Sequence, residues 1–185
     1  MKKWLATILV MLFAFLGLVT YAAQTDYFQI TITVGYIGIE LKDQSGAGYG
    51  TWDIGAVEGG IYTTMEAWGD TASTEGIEVY NGSNVSIDLS CWATNSLGWD
   101  LGPIIPSSDK YVMHVTSETT WVDNSGPADM SSSVVITATT SPGDDVDTGI
   151  SAFDMRYWFF YIAAPTEVTT GSGNTITVTI EASGS

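Results

Sequence analysis

Two groups of residues in this chain have the types and spacing that chemistry needs. Asp144, Asp145 and Asp147 are hard oxygen ligands gathered in Ser141-Pro-Gly-Asp-Asp-Val-Asp-Thr-Gly149, a stretch that reads as a turn-rich acidic loop. Clustered carboxylates in a glycine-bounded loop suit calcium, above all outside a cell. Their spacing is not that of an EF-hand loop, and acidic loop residues are commonly just solvated, so calcium competes here with no ligand at all. The second group is aromatic. Trp92 alternates in phase with Ser86, Asp88 and Ser90 and out of phase with Val85, Ile87, Leu89 and Cys91, which puts it on the polar face of a strand. An aromatic ring there stacks on a sugar, or lies under a loop or a neighbouring subunit. Trp68 and Trp121, beside loops, carry the same alternatives.

Enzyme chemistry finds little to use. His114 is the only histidine, which excludes a multi-histidine zinc site and leaves none spare for a triad. Sharing a strand face with Val112 and Thr116, it reads as structural or solvent-facing. Paired carboxylates hydrolyse glycosides in some enzymes, but among 21 acidic residues chance pairs are expected and carry no signal. The sequence has no nucleophile elbow, phosphate loop or CxxC. The chain therefore reads as non-enzymatic, with no cofactor beyond the calcium just considered. Cys91 is the only cysteine, so no intrachain disulfide forms; its phase with Ile87 and Leu89 makes it a small buried hydrophobe. Asn81-Gly-Ser83 and Asn84-Val-Ser86 match the N-glycosylation pattern, in a turn where both would be accessible.

The elements that must position these residues are strands. From Tyr157 to Ile162 every position is apolar or aromatic, so a strand here offers Tyr157, Phe159 and Tyr161 to one face and Trp158, Phe160 and Ile162 to the other. A strand covered on both faces is central. Phe28, Ile30, Ile32 and Val34 share one parity, whereas Ile37, Ile39 and Leu41, after Gly35, share the other. Such a change of phase at glycine marks a bulge or a crossing between sheets. Further strands are expected around Trp52 and Ile54, over Ile61–Glu66, on either side of an Asn81-Gly82 turn within Gly76–Trp92, within Gly98–Pro103, over Tyr111–Thr116 and Val134–Thr137, and over Asn174–Ala182, with Trp121–Val122 a further short candidate. Eight to ten short strands broken by Gly, Pro and Asn, with no helical periodicity, make an all-β, antiparallel β-sandwich, immunoglobulin-like or jelly-roll.

The order Trp52-Asp-Ile-Gly-Ala-Val57, glycine turn, strand, Ile77-Glu-Val-Tyr-Asn-Gly-Ser83, strand, then Tyr157 to Pro165 and a β-branched last strand resembles secreted bacterial immunoglobulin-like sandwich domains. It is similar in style to the Hydin-like group, with its aromatic-glycine-valine strand and later valine-asparagine-glycine turn. The resemblance covers most of the mature chain and implies a fold and a surface or assembly role, with no catalytic residue. In plan the chain is also similar to sandwich subunits of biofilm fibres and donor-strand pili.

Lys2 and Lys3, the apolar run from Trp4 to Tyr21, and the small residues Thr20 and Ala22 have the form of a signal peptide over 1–22, leaving one domain over 23–185. The competing reading is an uncleaved anchor. Removing Lys2 and Lys3 leaves three basic residues against all 21 acidic ones, a net charge of −18. A surface this acidic repels phosphate backbones and anionic membranes, so no nucleic-acid or membrane partner is expected after cleavage. The expected function is that of a secreted or cell-surface structural protein that assembles with copies of itself, as a filament or surface-layer subunit. The apolar face formed by Phe28, Ile30, Ile32 and Val34, just after the processing site, either completes a neighbour's sheet or forms the first strand of its own. The rival function is an extracellular carbohydrate-binding module that holds cell-surface glycans with exposed tryptophans.

Overall fold

The computed structural model describes residues 27–34, 38–43, 45–65, 76–96, 98–120, 132–169 and 174–185. The signal-peptide assignment over 1–22, Trp68 and Trp121 lie outside these residues, as do the side chains of Phe28 and Val34. Twelve strands are described: β1 (Tyr27–Val34), β2 (Ile39–Lys42), β3 (Thr51–Ala56), β4 (Tyr62–Thr64), β5 (Ile77–Asn81), β6 (Ile87–Ala93), β7 (Asp100–Leu101), β8 (Lys110–Glu118), β9 (Val134–Ile136), β10 (Asp144–Ile150), β11 (Met155–Ala163) and β12 (Asn174–Gly184). Among the described residues no helix is long and apolar enough to cross a membrane.

The strands form two packed sheets. One has the order β10-β6-β12-β1-β3; the other has β2-β5-β11-β8-β7, with β4 beside β11 and β9 beside β8. This is the expected all-β sandwich. Two pairings depart from an antiparallel plan: β1 lies parallel to β12, and β7 parallel to β8. The phase change after β1 is a crossing between sheets, because β1 belongs to the first sheet and β2 to the second. The strand hidden from the sequence was β10, in the stretch read as a loop.

The aromatic strand β11 is internal, with β5 and β4 along one edge and β8 along the other. Every residue from Trp158 to Ala163 is buried. Trp158, Phe160 and Ile162 face the five-stranded sheet, whose inner positions are Ile30 and Ile32 of β1, Ile87, Leu89 and Cys91 of β6, and Ile176, Val178 and Ile180 of β12. Phe159, Tyr161, His114 and Thr116 lie on the opposite face and are buried too. Phe159 folds its ring over Gly76, where an added Cβ would come within 2.5 Å of the ring. The glycine thus leaves the space into which an aromatic from the neighbouring strand can lie.

The two ends of the sandwich differ. At one, Asn81 ends β5. Its buried side-chain amide donates to the carbonyls of Val85, Ile150 and Ser151, while its oxygen accepts from the Ser83 amide. One side chain so fastens the loop after β5 to the loop after β10. At the other end, Gly60 donates to Ala164, Thr166 to Ser107, and Asp109 to Glu167. Among the described residues, the large hydrophobics that remain exposed all sit at these ends: Val85 and Phe153 at the Asn81 end, Ile61, Ile104 and Ile105 at the other.

Truncating Phe160 to alanine is expected to cost about 3–5 kcal/mol, as large-to-small core changes do. Gly76→Ala should also destabilise, because the Phe159 ring it would strike is held on all sides. Urea denaturation of both variants is the check; wild-type stability in Phe160→Ala would mean that β11 is not the centre of the core.

Candidate functional site: the outer face of the five-stranded sheet

The face of the five-stranded sheet turned away from the core carries hydroxyls, carboxylates and one large aromatic. The alternation of β6 buries Ile87, Leu89, Cys91 and Ala93 and leaves Asp88, Ser90 and Trp92 partly exposed. Strand β12 repeats the pattern with Thr177, Thr179 and Glu181. Register then sets the neighbours: Trp92 lies opposite Thr179, Ser90 between Glu181 and Asp145, and Thr177 beside Thr31. A shallow depression of about 340 Å3 is lined by Ser90, Ser141, Pro142, Asp145, Glu181 and Ser183. On its rim Ser141 Oγ donates to the two Glu181 carboxylate oxygens at 2.9 and 3.1 Å.

Trp92 is where its phase places it, half-buried on this polar face. The other described tryptophans, Trp52, Trp99 and Trp158, are buried. The structure also sets the acidic stretch beside it, since β10 is the strand next to β6.

That stretch is a correction to the sequence reading. Asp144, Asp145 and Asp147 stand on an edge strand, not in a loop. The strand was hard to see because its register against β6 shifts twice, and Gly149 adopts a left-handed φ of 66°, so its side chains do not alternate cleanly. The three carboxylates point to different tasks. Asp144 accepts from the Thr137 and Ala138 amides at 2.6 and 2.8 Å and from the Thr137 hydroxyl. Asp147 accepts from Trp158 Nε1 at 2.8 Å, with Arg156 Nε 3.9 Å from its other oxygen. Asp145 alone is exposed, on the Trp92 face. Among the described residues no three His, Cys, Asp or Glu side chains gather as a metal would require.

The assembly candidates fall on β1, which lies inside its sheet between β12 and β3. Ile30 and Ile32 are buried in the core; Phe28 and Val34 pair through their backbones with Asn174 and Ile180. Two further groups are sealed. Cys91 is fully buried, and burial raises its thiol pKa. His114 has Tyr62 Oη 3.3 Å from Nε2 and Ser133 Oγ 2.9 Å from Nδ1, and burial lowers its pKa. Sequence reasoning missed Asn81, which it took for an accessible turn residue within a formal glycosylation pattern. Burial and bonds to three carbonyls make it part of the frame instead, whereas Asn84 is exposed.

The sequence matches no protein-family model, and no curated protein is similar to it.

Asp147→Ala is expected to cost about 1–3 kcal/mol by leaving a buried indole N–H unpaired. Asp147→Asn, which keeps an acceptor oxygen, should restore most of it in urea denaturation. For His114, both folded and unfolded chains hold a neutral ring well above pH 6.5. As pH falls through about 6.5 the unfolded chain takes up a proton that the buried ring refuses, so the folded state loses stability until pH passes the lower folded pKa. Thermal melts should show this slope at mildly acid pH, and His114→Gln should flatten it.

Proposed function

We propose that this chain is an exported, non-enzymatic structural protein of the cell surface or extracellular space that assembles with copies of itself, as a filament or surface-layer subunit. The observation that carries this reading is the placement of β1. It is an inner strand, paired on both edges, yet it is the first described element of the chain and leaves directly for the other sheet. The slot between β12 and β3 needs a strand with apolar residues at the Ile30 and Ile32 positions and free backbone groups along both edges. A second copy's β1 meets those needs as well as the chain's own, which is the condition for strand exchange. The resemblance to secreted immunoglobulin-like domains points the same way, and the acidic surface would keep such a protein soluble before it assembles.

A second reading rests on Trp92. A half-exposed indole opposite Thr179, with Ser90, Asp145 and Glu181 at adjoining positions of the same sheet face, offers a neutral sugar chain one stacking surface and several hydrogen-bond partners. It would bind neutral rather than anionic glycans.

Deleting Gln24 to Val34 tests the first reading. Strand exchange predicts loss of assembly by light scattering, with folding restored by the same peptide added in trans; a truncated protein that assembles normally sinks it. Saturable polysaccharide binding by a monomer, abolished in Trp92→Ala, would put the second reading ahead.

A further inference from the structure

We infer that strand exchange in this protein closes two copies into a two-fold pair through the Asn81 end, where Phe153 and Val85 are buried against their counterparts. The inference rests on the exchange reading above and names the geometry that reading must take.

Direction comes from the register. β12 runs toward the Asn81 end, since Gly184 pairs with Ile87 at the start of β6. β1 is parallel to β12, so it too points its Val34 end that way. The chain re-emerges at Gly38, whose carbonyl accepts from Gly82 at that same end. Only residues 35–37 lie between, so Val34 and Gly38 are separated by at most about 14 Å, four Cα steps at full extension. A copy that places its β1 in a neighbour's slot must therefore hold its own Asn81 end within that reach of the neighbour's slot. The two Asn81 ends abut.

Contact of like end with like end is isologous, and it closes. Once one β1 has crossed, the partner's β1 faces the vacated slot at the same short distance. A third copy has no access, because both of the ends through which exchange operates are in use. Exchange alone thus gives pairs, and any longer filament uses the pair as its repeating unit, joined elsewhere.

The surface at this end fits a second copy. Phe153 is 61% and Val85 55% exposed, on two loops that Asn81 ties together. Phe153 also holds a φ of 62°, a conformation uncommon for an aromatic residue. The Phe153 amide donates to the Asn81 carbonyl and the Asn81 amide to the Asp154 carbonyl, so the turn that presents the ring is fixed rather than loose. A rigid, outward-held aromatic beside a second apolar residue is the anatomy of an interface anchor.

Cysteines at Thr31 and Thr51, paired in register on neighbouring strands, report where each β1 resides; buried Cys91 does not compete. The full secreted chain carrying Thr31→Cys and Thr51→Cys is oxidised, run on a non-reducing gel, and weighed by light scattering on a sizing column. We expect interchain disulfides with a mass of two chains. In Phe153→Asp and Val85→Asp, both exposed positions that leave the core untouched, self-association should weaken at least tenfold, while Ile105→Asp at the opposite end leaves it unchanged. Interchain disulfides running as a ladder of three, four and more chains would keep exchange and overturn the closed pair. Intrachain disulfides with a two-chain mass that Phe153→Asp abolishes would keep the end contact and overturn exchange. Intrachain disulfides with a one-chain mass would overturn both.

Discussion

The indole N–H of Trp158 is a donor fixed in the middle of a hydrophobic layer, and much of the architecture follows from how it is satisfied. A buried donor left unpaired is costly, and water does not reach a fully enclosed ring. The acceptor comes from the other sheet, as Asp147 on edge strand β10. That bond, with Arg156 alongside, fixes how far β10 stands from β11 and which way its carboxylate turns. Asn81 does the same work at the end of the sandwich by binding the Ile150 carbonyl, and Tyr111 does so across the layer through the Thr94 carbonyl. Polar ties of this kind, the bonds from Thr137 and Ala138 to Asp144 among them, set the spacing of two sheets that apolar packing alone would leave free to slide.

The sheets divide the labour. The seven-stranded sheet is buried on both faces around β11 and β8, and the five-stranded sheet is buried on one. The first supplies stability, which here comes from packing, since a chain with a single cysteine forms no intrachain disulfide. The second presents an outer surface rich in hydroxyls, with Trp92 half-buried on it.

Much of this was legible in the sequence, and the rest was hidden for identifiable reasons. Uninterrupted apolar character gave away β11; strict alternation gave away β6 and β12 and placed Trp92 on the outer face. The change of parity across Gly35 announced that β1 and β2 part company. Periodicity failed where side chains bond to particular partners instead of alternating: β10 looked like a loop because Asp144 and Asp147 serve amides and an indole to either side of a shifting register. Asn81 looked like a turn residue because a local asparagine-glycine signal carries no information about carbonyls some seventy residues away. The N–H of a tryptophan on a buried face was a hint that an acceptor had to reach it, though not which residue would supply it.

The parallel pairing of β1 with β12 has a mechanical side. Tension entering ahead of β1 and leaving beyond β12 pulls the two strands lengthwise past each other, because they run in the same direction. Seven residue pairs from Phe28–Asn174 to Val34–Ile180 then bear the load together, in shear, where a hairpin-like pair would unzip one bond after another. Forced unfolding is governed by the height of that barrier rather than by equilibrium stability. A domain tethered at one side and pulled from the other would hold its shape by this ladder, with no covalent bond to share the strain.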